Sequence, residues 1–214
     1  MPVIVYILTA LGAYLLGSIP TGFLVAKAKG IDIRAVGSGN IGATNAMRVL
    51  GKPAGIFVLL MDAVKGFAAV AWLVSLMVKC FTFAPEHVEY LKIIAGICAV
   101  LGHNYTCWLK FKGGKGIATT AGVYLALAPW ALLIALGVFI LAVLITRYVS
   151  VGAIAAAIAL PVIVWVMMPH NLFLGIVTTA LGVMAVYKHK SNIQRLMAGT
   201  ENRLGKKKST EATK

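Results

Sequence analysis

The chain has 214 residues, 60% of them hydrophobic and only 12% charged, with a mean hydropathy of +0.92. A soluble domain of this size carries about 25% charged residues, so the composition excludes a soluble enzyme and points to one polytopic membrane domain. Twenty Lys and Arg against six Asp and Glu give a net charge of +14. With no soluble surface to present that charge, nucleic acid is excluded as a partner. Topology signals and an anionic ligand remain.

In chain order, apolar segments run over 3–26, 53–78, 91–107, 117–146, 151–168 and 171–187. The first lacks a basic leader and reads as an uncleaved helix. The fourth would be about 45 Å long as one helix, against a hydrocarbon core of about 30 Å. It carries Pro129 in "LALAPWALL", where a helix kinks or breaks. It is therefore one bent span or two spans meeting at Pro129. Charge favours two. With seven spans and the N-terminus outside, every Lys and Arg except Lys65, Lys79 and Lys92 falls on the cytoplasmic side. The expected fold is thus an all-α polytopic membrane protein of seven transmembrane helices, its C-terminus cytoplasmic. Residues 1–198 form a single transmembrane domain, and 199–214, "GTENRLGKKKSTEATK", form a basic, disordered tail resting on anionic lipid. The span 117–128 is short, about 18 Å, so the loop before it is expected to dip into the membrane or the bilayer to thin there.

This topology puts four polar clusters on one face: "GSGNIGATN" at 37–45 followed by Arg48, "FKGGKGIATT" at 111–120 preceded by His103, "RYVS" at 147–150, and "YKHKSNIQR" at 187–195. GSGNIG fits the dinucleotide fingerprint but lacks its strand and parallel sheet. The near P-loop at 37–44 has Ala43 where that motif needs lysine. What survives is shared physics. Glycines let backbone N–H groups converge on an anion, Ser38, Thr44 and the asparagines add neutral donors, and Arg48 adds charge. The second cluster repeats the recipe with Lys112 and Lys115, although glycines also simply permit a tight loop and lysines also simply set topology.

Asp62 and Lys65 lie in the second span at a spacing of three and are expected to pair, as a functional site or as a packing device. His103 and His189 fall near the inner face, His87 and His170 in outer loops. No carboxylate is expected beside the inner histidines, and no His-x-x-x-x-Asp pattern occurs. Cys80, Cys98 and Cys107 show no metal-ligand spacing and read as small apolar residues. No cofactor or metal is expected. Any chemistry would then rest on positive charge and hydrogen bonds.

Taken together, "GSGNIGATN" with Arg48, "DAVKGFAAV", "GHNY", "FKGGKGIAT" and "YKHKSNIQRL" resemble the membrane acyl-phosphate:glycerol-3-phosphate acyltransferase family, PlsY, over Leu15 to about Leu204. The resemblance implies transfer of an acyl group from acyl phosphate to the 1-hydroxyl of glycerol 3-phosphate. The products are lysophosphatidic acid and inorganic phosphate, in the first acylation of bacterial phospholipid synthesis. It implies seven spans in the bacterial inner membrane with a cytoplasmic active site. By motif, Ser38, Arg48, Lys115, His189 and Asn192 would be catalytic and hold glycerol 3-phosphate. Gly37, Gly39, Asn40, Gly42, Thr44 and Asn45, with Ser150, would hold the acyl-phosphate end, and Lys112, Gly113 and Gly114 would add substrate contacts. The expected partners are these two substrates, membrane lipid and the enzyme that makes the acyl phosphate. The rival readings are a transporter for a phosphorylated solute, which would need a path to both faces, and a lipid-binding scaffold without turnover.

Overall fold

The computed structural model describes residues 2–82 and 85–205, and every regular element among them is helical. α1 (Pro2–Ser18) and α2 (Thr21–Lys27) share one apolar stretch from Val3 to Lys27. Pro20 has no N–H to donate and interrupts it. At the break, the carbonyl oxygens of Ser18 and Ile19 accept from Thr106 Oγ1 (2.6 Å) and Lys65 Nζ (2.9 Å). A polar loop leads to α3 (Ala43–Leu50), which turns at Gly51 into α4 (Lys52–Ala68). α4 runs through one π turn, Ala69–Leu73, into α5 (Val74–Cys80). α6 (Glu86–Asn104), a 3₁₀ turn at Cys107–Leu109, α7 (Ile117–Leu127), α8 (Pro129–Thr146), α9 (Val149–Met167), α10 (Leu172–Lys188) and α11 (Lys190–Met197) complete the described chain.

The stretch 117–146 is split where expected, because Ala128 leaves helical geometry (φ −150°) and Pro129 opens α8. Among the described residues, four helical stretches are long and apolar enough to cross a membrane: Val3–Lys27, Lys52–Cys80, α8 and α9. α10 and α11, bent by 50° at His189, add a fifth if taken as one broken span, and α7 is a shorter apolar helix. Only 11% of α8 is buried, and Leu133, Leu141, Leu144 and Ile145 stand exposed along it. An apolar face that large is intolerable in water and natural in lipid. The protein is an integral, multi-pass membrane protein.

Lipid gives no hydrophobic drive between helices, so close backbone approach matters. Gly17 and Gly102 bring α1 and α6 together until a Cβ on either would strike the other helix's backbone. Gly66 and Gly122 do the same for α4 and α7. Asp62 and Lys65 pair as expected, at 2.8 Å, with both side chains nearly fully buried. This packing fixes the end of α6 and the start of α7, and the loop between them carries part of the site, together with the α2–α3 loop, α3 and α11.

The tail departs from expectation over its first residues. Thr200 and Glu201 N–H groups donate to the Arg195 carbonyl, and Leu204 N–H donates to the Arg147 carbonyl (2.8 Å). Residues 199–205 therefore fold back on the bundle end instead of trailing free. The expected lysine-rich stretch 206–214 lies outside the described residues.

Candidate active site

The first glycine loop is organised by its asparagines. Asn45 is 2% exposed. Its Oδ1 accepts from Ser38 N–H (2.8 Å), and its Nδ2 donates to the carbonyls of Asn40 (2.9 Å), Val36 (3.2 Å) and Ile33 (3.3 Å). Asn40 Oδ1 accepts from Gly42 N–H at 2.8 Å. Gly37 (φ +64°) and Gly39 (φ +71°) take left-handed geometry, and a Cβ on Gly37 would collide with Asn45 Oδ1. The asparagines and the N–H groups of Ser38 and Gly42 are thus spent on the loop itself. What it presents outward is the Ser38 hydroxyl, Thr44 and Arg48, all exposed. Thr44 and Arg48 are four apart on α3 and share a face.

The second loop differs from the anion cradle the sequence suggests. Gly113 N–H donates to the Asn104 carbonyl (3.2 Å) and Gly114 N–H to the His103 carbonyl (3.0 Å). Neither amide is left for a ligand. The glycines are needed because this loop lies directly on the end of α6, with no room for a Cβ at either position. Lys110 and Phe111 precede it in left-handed geometry (φ 53° and 59°), uncommon for residues with side chains. The loop's gift to the site is charge: Lys112, exposed, and Lys115, partly buried.

Lys115 Nζ donates to Asn192 Oδ1. Burial and then the neighbouring positive charges of Arg195, Arg48 and Lys188 lower the Lys115 pKa to about 8, against a smaller raising effect of Glu201. That places Arg48, from α3, in the same electrostatic field. His189 sits at the 50° bend, 3% exposed. Its Nδ1 meets the Ala185 carbonyl at 2.8 Å, so Nδ1 carries the hydrogen and Nε2 is left as an acceptor. Burial, then the charge of Lys115, pushes its pKa down to about 4, which keeps the imidazole neutral at physiological pH.

Glu201 is the residue the sequence reading missed. Its Oε1 accepts from Ser150 Oγ (3.1 Å) and Asn192 Nδ2 (2.9 Å), and its Oε2 accepts from Arg195 Nε (2.7 Å). Burial would raise its pKa, but the hydrogen bonds from Asn192 and Arg195 outweigh this and hold it below the usual carboxylate range. One carboxylate thus ties α9, α11 and the first residues after α11 into one unit. The available signal was rarity: the chain of net charge +14 has six acidic residues, and Glu201 comes shortly after the cationic motif that ends at Arg195. Arg195 and Lys188 were also passed over. Lys188 Nζ donates to the Asn104 carbonyl (3.0 Å) and lies over the Tyr105 ring.

The expectation that no carboxylate accompanies the inner histidines fails twice. Glu201 lies close enough to His189 to oppose its loss of charge. Asp62 Oδ1 is 3.6 Å from His103 Nδ1, a long-range contact between the second span and the end of α6 that sequence spacing does not reveal.

The structure therefore gathers Lys115, His189, Asn192, Ser150, Arg195 and Glu201 directly, and Arg48 through its field. Lys112 and Ser38 stand exposed on the two glycine loops, and Thr44 on the first turn of α3. Fold and site define an all-helical integral membrane protein with a cationic, hydrogen-bonding site where its helix ends meet.

The sequence profile described as Glycerol-3-phosphate acyltransferase matches residues 7–199. A glycerol-3-phosphate acyltransferase of Geobacter sulfurreducens is 49% identical over 197 residues, 92% of this chain and 96% of the relative. One of Trichlorobacter lovleyi is 48% identical over 194 residues, 90% and 94% of the two chains. Among solved structures, the glycerol 3-phosphate form of PlsY, an integral membrane glycerol 3-phosphate acyltransferase, superposes with a TM-score of 0.83 at 38% identity, covering 94% of this chain and 96% of that one. Its lysophosphatidic acid form gives 0.78 at 39% identity, covering 94% and 95%. The chain belongs to the glycerol-3-phosphate acyltransferase family and is an acyltransferase.

Proposed function

We propose that the protein moves an acyl group from acyl phosphate to the 1-hydroxyl of glycerol 3-phosphate, releasing lysophosphatidic acid and inorganic phosphate. In this reading it carries out the first acylation of phospholipid synthesis in the bacterial inner membrane. It has seven spans, an outer N-terminus and a site open to the cytoplasm, where the enzyme supplying acyl phosphate can dock. α6 and α7 are the spans added to the five long apolar stretches. The observation that carries the proposal is the meeting of Lys115, His189, Asn192 and Ser150 with Arg48 in one cationic field. The solved relatives with glycerol 3-phosphate and lysophosphatidic acid support the acceptor and the product.

Two phosphorylated molecules repel each other. Lys115, Arg48 and Ser38 hold the phosphate of glycerol 3-phosphate, and Lys112 and Thr44 the phosphate end of the donor. Ser150, expected among the donor contacts, donates its hydroxyl hydrogen bond to Glu201 and acts by fixing that carboxylate and, through it, Asn192. Gly37, Gly39, Asn40, Gly42, Asn45, Gly113 and Gly114 act through the shape of the two loops that carry these groups. Asn192 and neutral His189 accept from or donate to the glycerol hydroxyls. The 1-hydroxyl oxygen attacks the acyl carbonyl carbon, the bond from that carbon to the phosphate oxygen breaks, and phosphate departs with the electron pair. The hydroxyl proton passes to a substrate phosphate oxygen. Burial and the charge of Lys115 weaken His189 as a base, which favours the substrate phosphate in that role. Positioning and charge compensation supply most of the acceleration. The fatty chain stays in the bilayer between helices.

Purified protein in detergent tests this. Phosphate release that requires both substrates, with lysophosphatidic acid as product, is the expected result. Solute flux in sealed vesicles without an acylated product would replace the proposal with a transporter.

A further inference from the structure

Three buried groups remain outside the chemistry above: Asp62, Lys65 and His103, each 6% exposed or less. A charged pair inside a span is expensive to keep, and a pair serving helix packing alone can be replaced by apolar side chains without loss. Their arrangement points elsewhere. Lys65 Nζ reaches the Ile19 carbonyl at the α1–α2 break (2.9 Å) and Asp62 Oδ1 (2.8 Å). The same Asp62 oxygen lies 3.6 Å from His103 Nδ1. The His103 ring occupies the space a Cβ on Gly114 would need, its Nε2 edge nearest, and the His103 carbonyl accepts the Gly114 N–H. Gly114 immediately precedes Lys115. The contacts therefore run from the α1–α2 break through Lys65, Asp62 and His103 to the backbone that aims Lys115 at Asn192.

We propose that His103, held by Asp62 and Lys65, is a positioning residue: its imidazole is the surface on which Gly114 rests, and it sets where the Lys115 ammonium stands to receive the phosphate of glycerol 3-phosphate. The proposal rests on the acyl-transfer reading, so the wild-type enzyme is assayed first. No release of phosphate dependent on both substrates would sink that reading, whatever the role of His103.

With turnover established, the variants are His103→Ala, Gly114→Ala, the two combined, and Gly113→Ala, each checked for a single gel-filtration peak in detergent. Gly114→Ala and His103→Ala are each expected to raise KM for glycerol 3-phosphate about tenfold, with kcat changed less than about threefold and KM for acyl phosphate unmoved. The combined variant is expected to bind better than Gly114→Ala alone, because removing the ring makes room for the new Cβ; such non-additivity marks direct contact. Gly113→Ala meets the His103 backbone carbonyl instead, so adding His103→Ala should not relieve it. His103 as a merely structural residue would instead give fewer active molecules with unchanged KM, or strictly additive defects, and either result overturns the proposal. Should His103→Ala fail to fold, the KM of Gly114→Ala decides alone: an unchanged value refutes the positioning role.

Discussion

The alkaline limb of the pH profile follows from how Lys115 is placed. Burial and the positive charges of Arg195, Arg48 and Lys188 lower its pKa from 10.5 to about 8. The direction is fixed by the sign of the effect. The free site disfavours the ammonium, so its charge is lost on raising the pH well before an ordinary lysine would lose it. At pH 7 roughly nine-tenths of the molecules carry a charged Lys115, and at pH 9 roughly one-tenth do. If the ammonium receives the phosphate of glycerol 3-phosphate, kcat/KM for that substrate falls about tenfold per pH unit above about 8. The phosphate itself, with a second pKa of about 6, does not change charge in this range. A bound dianion favours the ammonium, so kcat should hold to higher pH than kcat/KM. The assay is initial phosphate release at subsaturating glycerol 3-phosphate and saturating acyl phosphate, from pH 6.5 to 10. Lys115→Arg supplies the control: guanidinium does not titrate here, so the limb should flatten, at reduced overall activity because a planar fork replaces a point charge. A wild-type kcat/KM flat to pH 10, or a limb unchanged in Lys115→Arg, would refute the reasoning.

Other outcomes follow from particular contacts. Lys115→Ala should elute as folded protein and lose most of its turnover, read as kcat/KM for glycerol 3-phosphate. Glu201→Ala should lower activity strongly, because Ser150, Asn192 and Arg195 lose their shared acceptor, whereas neutralising Lys206, Lys207 and Lys208 together should change turnover by less than about twofold. Asp62→Ala leaves the Lys65 ammonium buried without its carboxylate and should cost about 3–5 kcal/mol, measured by thermal unfolding in detergent; Asp62→Ala with Lys65→Met should recover most of that loss. His189→Ala should weaken glycerol 3-phosphate binding and lower kcat together. Abolished turnover with intact affinity would make His189 the general base and remove the substrate-phosphate step.

Much of the fold was legible because lipid imposes simple rules. Long apolar runs give helices, Pro129 divides the longest of them, and Asp62 and Lys65 at a spacing of three must either pair or be absent. The break at Pro20 was not read, since the apolar run continues across it and only the partners of the Ser18 and Ile19 carbonyls, Thr106 just past α6 and Lys65 on α4, reveal its use. In the candidate site, residue types pointed to polar loops but not to the division of labour within them. Asn45 and Asn40 looked like ligand donors, and the Gly113 and Gly114 amides like an anion cradle. In the structure all of them are engaged by neighbouring backbone. Local sequence shows that a polar group is present, and only tertiary contacts show whether it is already satisfied. Glu201 escaped for the converse reason: an acid in a polar, lysine-rich tail looks solvated until Ser150, Asn192 and Arg195 are seen around it.

The most direct measurement follows one oxygen atom. Glycerol 3-phosphate carrying heavy oxygen in its 1-hydroxyl is turned over with acyl phosphate by the purified protein, and both products are analysed by mass spectrometry. Attack on the acyl carbon places the heavy oxygen in the ester of lysophosphatidic acid and leaves the released phosphate unlabelled. Heavy oxygen in the released phosphate, or phosphate formed without labelled ester, would contradict acyl transfer between two phosphorylated molecules held side by side.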